Sequence, residues 1–318
     1  MSDSGYFYSY GTALGQYLVA MHPDKVDLVM IDSVLDGDAW RDGKLVETYQ
    51  DTDEIIDAFY TLCARAGPSI CPMAEKTKKL TKARVERIIG HLDNNPLVIM
   101  PHVDDSFVIT TSSLQSVVLG QMYSPASGFP WLAQTLLEVE RRNVSALFEF
   151  GAKDRSGGLE NQAYQSIMCS DLPDLRNTTL SQAVALTKTA ERTAARFVDD
   201  DVARDQLMCV PWKMRPKNAF LGSFKPAKWA GKMLIISNMY DPVTPLAHAR
   251  SVQKRIGDGT ASLLIQNGLG HSPLVAQGNC VDSSVARFFR KRALPKNGHV
   301  CQPDELPFVG KVDHGIAP

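Results

Sequence analysis

The sequence has no surplus of charge of either sign: 34 lysines and arginines stand against 35 aspartates and glutamates in 318 residues, a formal net charge of -1. Nucleic acids and anionic membrane surfaces are bound through clustered excess positive charge, so neither is an expected partner. No stretch holds the roughly 20 consecutive apolar residues that a membrane-spanning helix needs. The opening MSDSGYFY has neither a basic n-region nor an apolar run before a small-residue cleavage site, so the chain as given shows no secretory signal. No Cys-x-x-Cys or His/Cys spacing offers a metal site, no motif calls for a cofactor, and no repeat or low-complexity tract appears. What is left is the composition of an ordinary globular protein, 44% hydrophobic, long enough for one large domain or two modest ones.

Six cysteines fall into neighbouring couples, Cys63 with Cys71, Cys169 with Cys209 and Cys280 with Cys301. An even count suits a disulfide framework, but six cysteines permit 15 connectivities, and six buried thiols would explain the count equally well. The sequons Asn143-Val-Ser and Asn177-Thr-Thr also suit a secreted protein.

Along the chain, ALGQYLVAMHP has the pattern of an amphipathic helix ended by Pro23, and Val26 to Ile31 form a nearly continuous apolar run, as in a strand covered on both faces. Strand, helix and strand within about 30 residues make the βαβ unit of a parallel sheet. From Trp40 to Phe224 the texture turns helical, with examples in DEIIDAFYTLCARAG, KLTKARVERIIGHLDNN, SLQSVVLGQMYS, FPWLAQTLLEVERRNVSALFEF and LSQAVALTKTAERTAARFV. The sheet texture returns with KMLIISN and ASLLIQN, followed by helical patterns in AHARSVQKRI and VDSSVARFFRKRAL. The expected architecture is α/β, a parallel sheet flanked by helices. Residues 1–39 and 225–318 form its core, and 40–224 a mainly helical cap.

Ser9 in YSYGT, Asp241 in NMYDPVTP and His271 in GLGHSP each follow an apolar strand, and they occur in the order Ser, Asp, His. A serine hydroxyl is a poor nucleophile at neutral pH; an imidazole must take its proton, and a carboxylate must orient the imidazole and stabilise its charged form. Each residue alone is an ordinary turn residue, and only the combination points to chemistry. The pattern around Ser9 is half of a G-x-S-x-G elbow, with Gly11 in place but Phe7 where the first glycine would stand.

These motifs together resemble the tripeptidyl aminopeptidase and proline iminopeptidase branch of the α/β-hydrolases. YSYGTALG with MHPDKVDLVMIDSVLDG is similar to that family's elbow, helix and following strand; LIISNMYDPVTPLAHAR to its acid segment; GLGHSPL to its histidine segment; Cys280 with HVCQPDE to its closing cysteine pair. The resemblance runs from about Tyr6 to Pro303. It implies Ser9 as nucleophile, Asp241 as acid, His271 as base, and the Tyr10 backbone N–H as one oxyanion donor. It also implies the pairs Cys63–Cys71, Cys169–Cys209 and Cys280–Cys301, and, with the sequons, a secreted protein. The implied activity is cleavage of an amide near a peptide's free N-terminus through an acyl-enzyme. A carboxylate from the cap, with Glu138, Glu140, Glu149 and Glu160 as candidates, would hold the substrate's ammonium.

The family has some five strands and a His-Gly-Gly-type oxyanion loop ahead of its nucleophile, whereas eight residues precede Ser9 here. The elbow strand is therefore expected at an exposed sheet edge, open to self-association, and Phe7 is expected to need room vacated by absent strands. Two other functions fit the sequence: hydrolysis of an ester, lactone or amide of a small metabolite, and a catalytically impaired remnant that binds a partner.

Overall fold

The computed structural model describes residues 3–100, 106–151, 157–193, 197–276 and 278–312. Strand β1 (Asp3–Tyr8) leads through helix α1 (Gly11–Met21) to β2 (Val26–Asp32). Helices α2 (Gly37–Arg41), α3 (Thr52–Ala66) and α4 (Lys78–Asn94) follow, and then a small antiparallel hairpin of β3 (Leu97–Ile99) and β4 (Phe107–Ile109). Six more helices continue the chain: α5 (Thr111–Met122), α6 (Pro125–Glu140), α7 (Val144–Gly151), α8 (Gly157–Asp171), α9 (Leu180–Thr193) and α10 (Asp199–Leu207). The chain then alternates β5 (Lys232–Tyr240), α11 (Leu246–Ile256), β6 (Ala261–Leu269), α12 (Asn279–Lys291) and β7 (His299–Cys301), before a short hairpin of β8 (Glu305–Leu306) and β9 (Gly310–Lys311).

Five strands form one parallel sheet in the order β1-β2-β5-β6-β7. The apolar runs of its central strands serve two faces with a period of two. Val29, Ile31, Met233, Ile235, Leu263 and Ile265 pack with Val19 of α1 and Val252 and Ile256 of α11. Leu28, Met30, Leu234, Ile236 and Leu264 pack on the other face with Val281 and Phe288 of α12. Each such fully buried aliphatic side chain is worth about 1.5–3 kcal/mol relative to exposure. β1 lies at the edge of the sheet, as the sequence leads one to expect, with Tyr6 and Tyr8 both exposed.

Helices α3 to α6 bury a separate core around Ile55, Phe59, Val85, Ile89, Leu114, Phe129 and Leu136. The pattern read as one helix over residues 129–150 is two. Arg142 takes a left-handed φ of 52°, and Asn143 spends its amide on Glu138, so the chain leaves the first helix there. β7 carries no periodic signal in three residues, and pairing with β6 alone makes it a strand. The three expected disulfides are present, Cys63–Cys71, Cys169–Cys209 and Cys280–Cys301. Both sequon asparagines, Asn143 and Asn177, are exposed.

Candidate active site

Ser9 stands between β1 and α1 with a φ of 55°, a conformation that costs a non-glycine residue on the order of 1–3 kcal/mol and persists only where its surroundings enforce it. They do so from both sides: Ser9 N–H donates to the Asp32 carbonyl at 3.0 Å, and the Thr12 amide and hydroxyl donate to the Ser9 carbonyl at 2.9 and 2.6 Å. Tyr10 occupies the N-cap position of α1, so the positive end of that helix opens beside Ser9.

Phe7 packs against glycines of its strand and of the following helix. Its ring lies over two glycines of its own elbow: a Cβ on Gly15 would sit 2.9 Å from the ring, and one on Gly5 would sit 2.6 Å from it. The glycine missing before the serine is thus replaced by one on the facing helix. Gly15→Ala is expected to cost about 1–3 kcal/mol by overpacking, read as a lower midpoint in urea unfolding, and Phe7→Leu should recover part of that loss.

Asp241 and His271 arrive on the loops that follow β5 and β6, at the C-terminal ends of parallel strands where open α/β sheets place their chemistry. Asp241 is fully buried, and its Oδ1 accepts from the amides of Val243 and Thr244 at 3.0 and 2.9 Å. A clamp from the start of α3 holds this loop: the Asp51 carboxylate accepts from the backbone amides of Leu246 and Asp241, and the Thr52 hydroxyl donates to the Pro242 carbonyl at 3.0 Å.

His271 Nδ1 lies 3.0 and 3.1 Å from the two Asp241 oxygens, so this nitrogen carries the proton and donates it, while Nε2 is the basic atom. Nε2 is buried and has no hydrogen-bond partner. The imidazole is held between Tyr8 and Tyr123, with ring centroids 4.9 and 5.0 Å away, and the His271 amide donates to the Tyr123 carbonyl at 2.8 Å. Gly270 before it has a φ of 105°, and a Cβ there would fall 2.5 Å from Pro125. Only glycine fits.

A cavity of about 270 Å³ has Ser9, Tyr10 and Thr244 in its wall. Thr244 is also 3.2 Å from His271 Nδ1, and Tyr8, next to Ser9, touches the imidazole, so residues beside Ser9 and in the cavity wall adjoin the Asp241–His271 pair. The remaining wall is uncharged, with four aromatic side chains among Leu35, Trp40, Thr48, Tyr49, Tyr123, Tyr164, Ile167, Met168 and Val243. Carboxylates stand behind it, Asp171 accepting from Tyr10 and Trp40, and Asp205 accepting from Tyr164. Of the acidic candidates from the cap, Glu138 is engaged by Gln134 and Asn143, and Glu140 by Arg84, which holds its carboxyl below the ordinary range. Neither lines the cavity. Glu149 and Glu160 lie outside the described side chains.

A carboxylate that the sequence reading passed over sits beneath the elbow. Asp32 ends β2 fully buried, and burial pushes its carboxyl up to about 6 although the hydroxyls of Ser272, Tyr6 and Ser33 donate to it at 2.5, 3.2 and 3.3 Å. Its signal was available: a lone charge closing a run buried on both faces. Because its folded value lies above its unfolded one, its neutral form favours folding, and this stability is lost as pH rises from about 4 through about 6. A displacement of about two units corresponds to roughly 3 kcal/mol. Asp32→Asn is therefore expected to raise the melting temperature relative to wild type by more at pH 8 than at pH 4; an equal difference at both would contradict it.

Among the described residues, Cys280, His299 and Cys301 are the one His/Cys cluster with metal-ligand proximity, and both sulfurs are committed to the disulfide.

The parallel sheet with helices on both faces, with a strained serine at a strand-to-helix turn and a buried Asp–His pair on later strand ends, has the arrangement of the α/β-hydrolase fold. Among known proteins, the family model described as TAP-like protein matches residues 195–301 of the chain. YuaR of Escherichia coli (strain K12) is 26% identical over 299 residues, covering 88% of this chain and 54% of that protein. Carboxylesterase B of Mycobacterium tuberculosis (strain H37Rv) is 24% identical over 254 residues, covering 76% of this chain and 45% of that protein. The chain spans about half the length of the curated relatives it matches.

Proposed function

We propose that this hydrolase works through Ser9, His271 and Asp241, cleaving an ester or amide whose acyl part is apolar and uncharged. The observation that carries the reading is the left-handed Ser9, aimed from a helix N-terminus into the same cavity that the buried Asp241–His271 pair adjoins. In this mechanism Ser9 Oγ attacks the acyl carbon and His271 Nε2 takes the hydroxyl proton. Asp241 stabilises the imidazolium through Nδ1. The Tyr10 N–H, at the positive end of α1, donates to the developing oxyanion. Collapse of the tetrahedral adduct expels the alcohol or amine, protonated by His271, and water then releases the acid by the same steps in reverse.

The uncharged wall favours an apolar acyl group, since an ammonium placed there would be desolvated without a partner. Release of N-terminal residues from peptides is the second reading, and Asp171 favours it: this half-buried carboxylate accepts from Tyr10 and Trp40, two residues of the cavity wall. Labelling by a fluorophosphonate probe, with Ser9→Ala as control, tests the catalytic assignment; a folded wild-type protein that labels no more than Ser9→Ala would refute it. Release from p-nitrophenyl butyrate against release from aminoacyl and tripeptidyl anilides then separates the two substrate classes. Faster anilide release, lost in Asp171→Asn, would establish the second.

A further inference from the structure

Two halves of the site come from distant parts of the chain, the elbow at Ser9 and the loop that carries His271; Tyr8 of the elbow strand meets His271 directly, and Asp32 bonds to Ser9 on one side and to Ser272 on the other. The Asp32 main-chain carbonyl accepts from Ser9 N–H at 3.0 Å, and its carboxylate accepts from the Ser272 hydroxyl at 2.5 Å. Ser272 directly follows the base and has a φ of 92°, far from what a serine adopts unaided. Its Oγ also accepts from the Leu274 amide at 2.9 Å, so this side chain pins the turn that leaves His271. All of these side chains are buried or half-buried, and no substrate-lining role falls to Asp32 or Ser272.

We propose that Asp32 is a positioning residue for the hydrolytic reaction, locking the nucleophile elbow to the histidine loop through its carbonyl on Ser9 and its carboxylate on Ser272. The proposal rests on the catalytic reading of Ser9 and His271. An ion buried in the sheet is a poor contributor to stability, and the two ends it joins are the two groups whose separation sets the rate of proton transfer. Displacement of such groups by about 1 Å costs on the order of 10²-fold in turnover.

The carboxylate also places a titration next to the site. The ionisable groups facing it are Tyr6 and Tyr8 of β1, both held above the ordinary phenol range by burial, and Asp241, whose charge further disfavours ionisation of Asp32. The tyrosines stay protonated near neutrality; burial also raises Asp51, which clamps the acid loop, to about 6, and Asp32→Asn distinguishes the two ionisations.

Three variants test the lock with p-nitrophenyl butyrate as substrate. Ser272→Ala removes the tie and keeps the strained backbone, Ser272→Gly removes both, and Asp32→Asn keeps one acceptor without the charge. Ser272→Ala and Ser272→Gly are expected to lower kcat by about 10- to 100-fold with KM changed by no more than about 3-fold. Asp32→Asn should lower kcat less and remove a break near pH 6 from the kcat profile. A folded Ser272→Ala with wild-type kcat, or an Asp32→Asn profile identical to wild type, would overturn the proposal. If the wild-type protein shows no Ser9-dependent labelling, the catalytic reading fails first, and the lock is then judged by the NMR resonance of the His271 Nδ1 proton shared with Asp241. A resonance moved or broadened in both Ser272→Ala and Asp32→Asn supports the lock, and one unchanged in either refutes it.

Discussion

Ser9→Ala is expected to lower kcat by 10⁴- to 10⁶-fold, on the order found when a triad nucleophile is removed, with unfolding behaviour close to wild type. Stability should hold because the hydroxyl carries no structural tie: the left-handed turn is fixed by the Ser9 amide on Asp32 and the Ser9 carbonyl on Thr12, and alanine keeps both. His271→Ala should cost about as much as Ser9→Ala, and the double variant little more, because nucleophile and base act as a unit. Asp241→Asn should cost about 10⁴-fold, since an amide beside Nδ1 favours the wrong tautomer. Steady-state kcat measures all four variants, and fluorophosphonate labelling those that keep Ser9. Losses that simply add would show that the residues act separately.

Opening the Cys169–Cys209 disulfide is expected to have the largest effect on stability. The bridged residues are 40 apart, against 21 and 8 for the other two, and cross-linking a longer loop removes more entropy from the unfolded chain. The chain-entropy relation gives roughly 4 kcal/mol for this bridge and about 2.5 kcal/mol for Cys63–Cys71. Both sulfurs are buried in a cluster with Trp40, Met168, Leu172 and Val202, and Arg215 fastens the same turn by donating to the carbonyls of Cys169 and Leu172. Helix α8 also presents Tyr164, Ile167 and Met168 to the cavity and Asp171 to Tyr10. The paired change of Cys169 and Cys209 to alanine should therefore lower the urea midpoint most among the three disulfide variants and weaken substrate binding. An equal or smaller loss than for Cys63–Cys71 would contradict the loop-length argument.

Much of the hydrolase core was legible along the chain because its signals are local. The apolar runs of β2, β5 and β6, the helices that follow β1, β5 and β6, and the turn chemistry of D-P-V-T-P and G-H-S each lie within a dozen residues. The break between α6 and α7 was not legible, since it turns on one left-handed arginine inside an otherwise helical pattern. Strand β7 exists only by pairing with β6. The carboxylates that support the site escaped for another reason: Asp32 meets Ser272 across 240 residues, and Asp51 meets the acid loop across almost 200, distances over which no spacing rule operates.

Sequence by itself determined the order of the main sheet strands and their helices and the three residues that carry the proposed chemistry, because strand ends, glycine turns and residue types are written locally. Tertiary structure decided what those residues need in order to act. Phe7 is accommodated by Gly15 on the facing helix, His271 is fixed between two tyrosines and against Asp241, and the cavity is walled by aromatic side chains from α2, α8 and the loops between. Each of these is a contact between segments far apart in the chain, and its geometry is set by how sheet and helices pack around their shared cores.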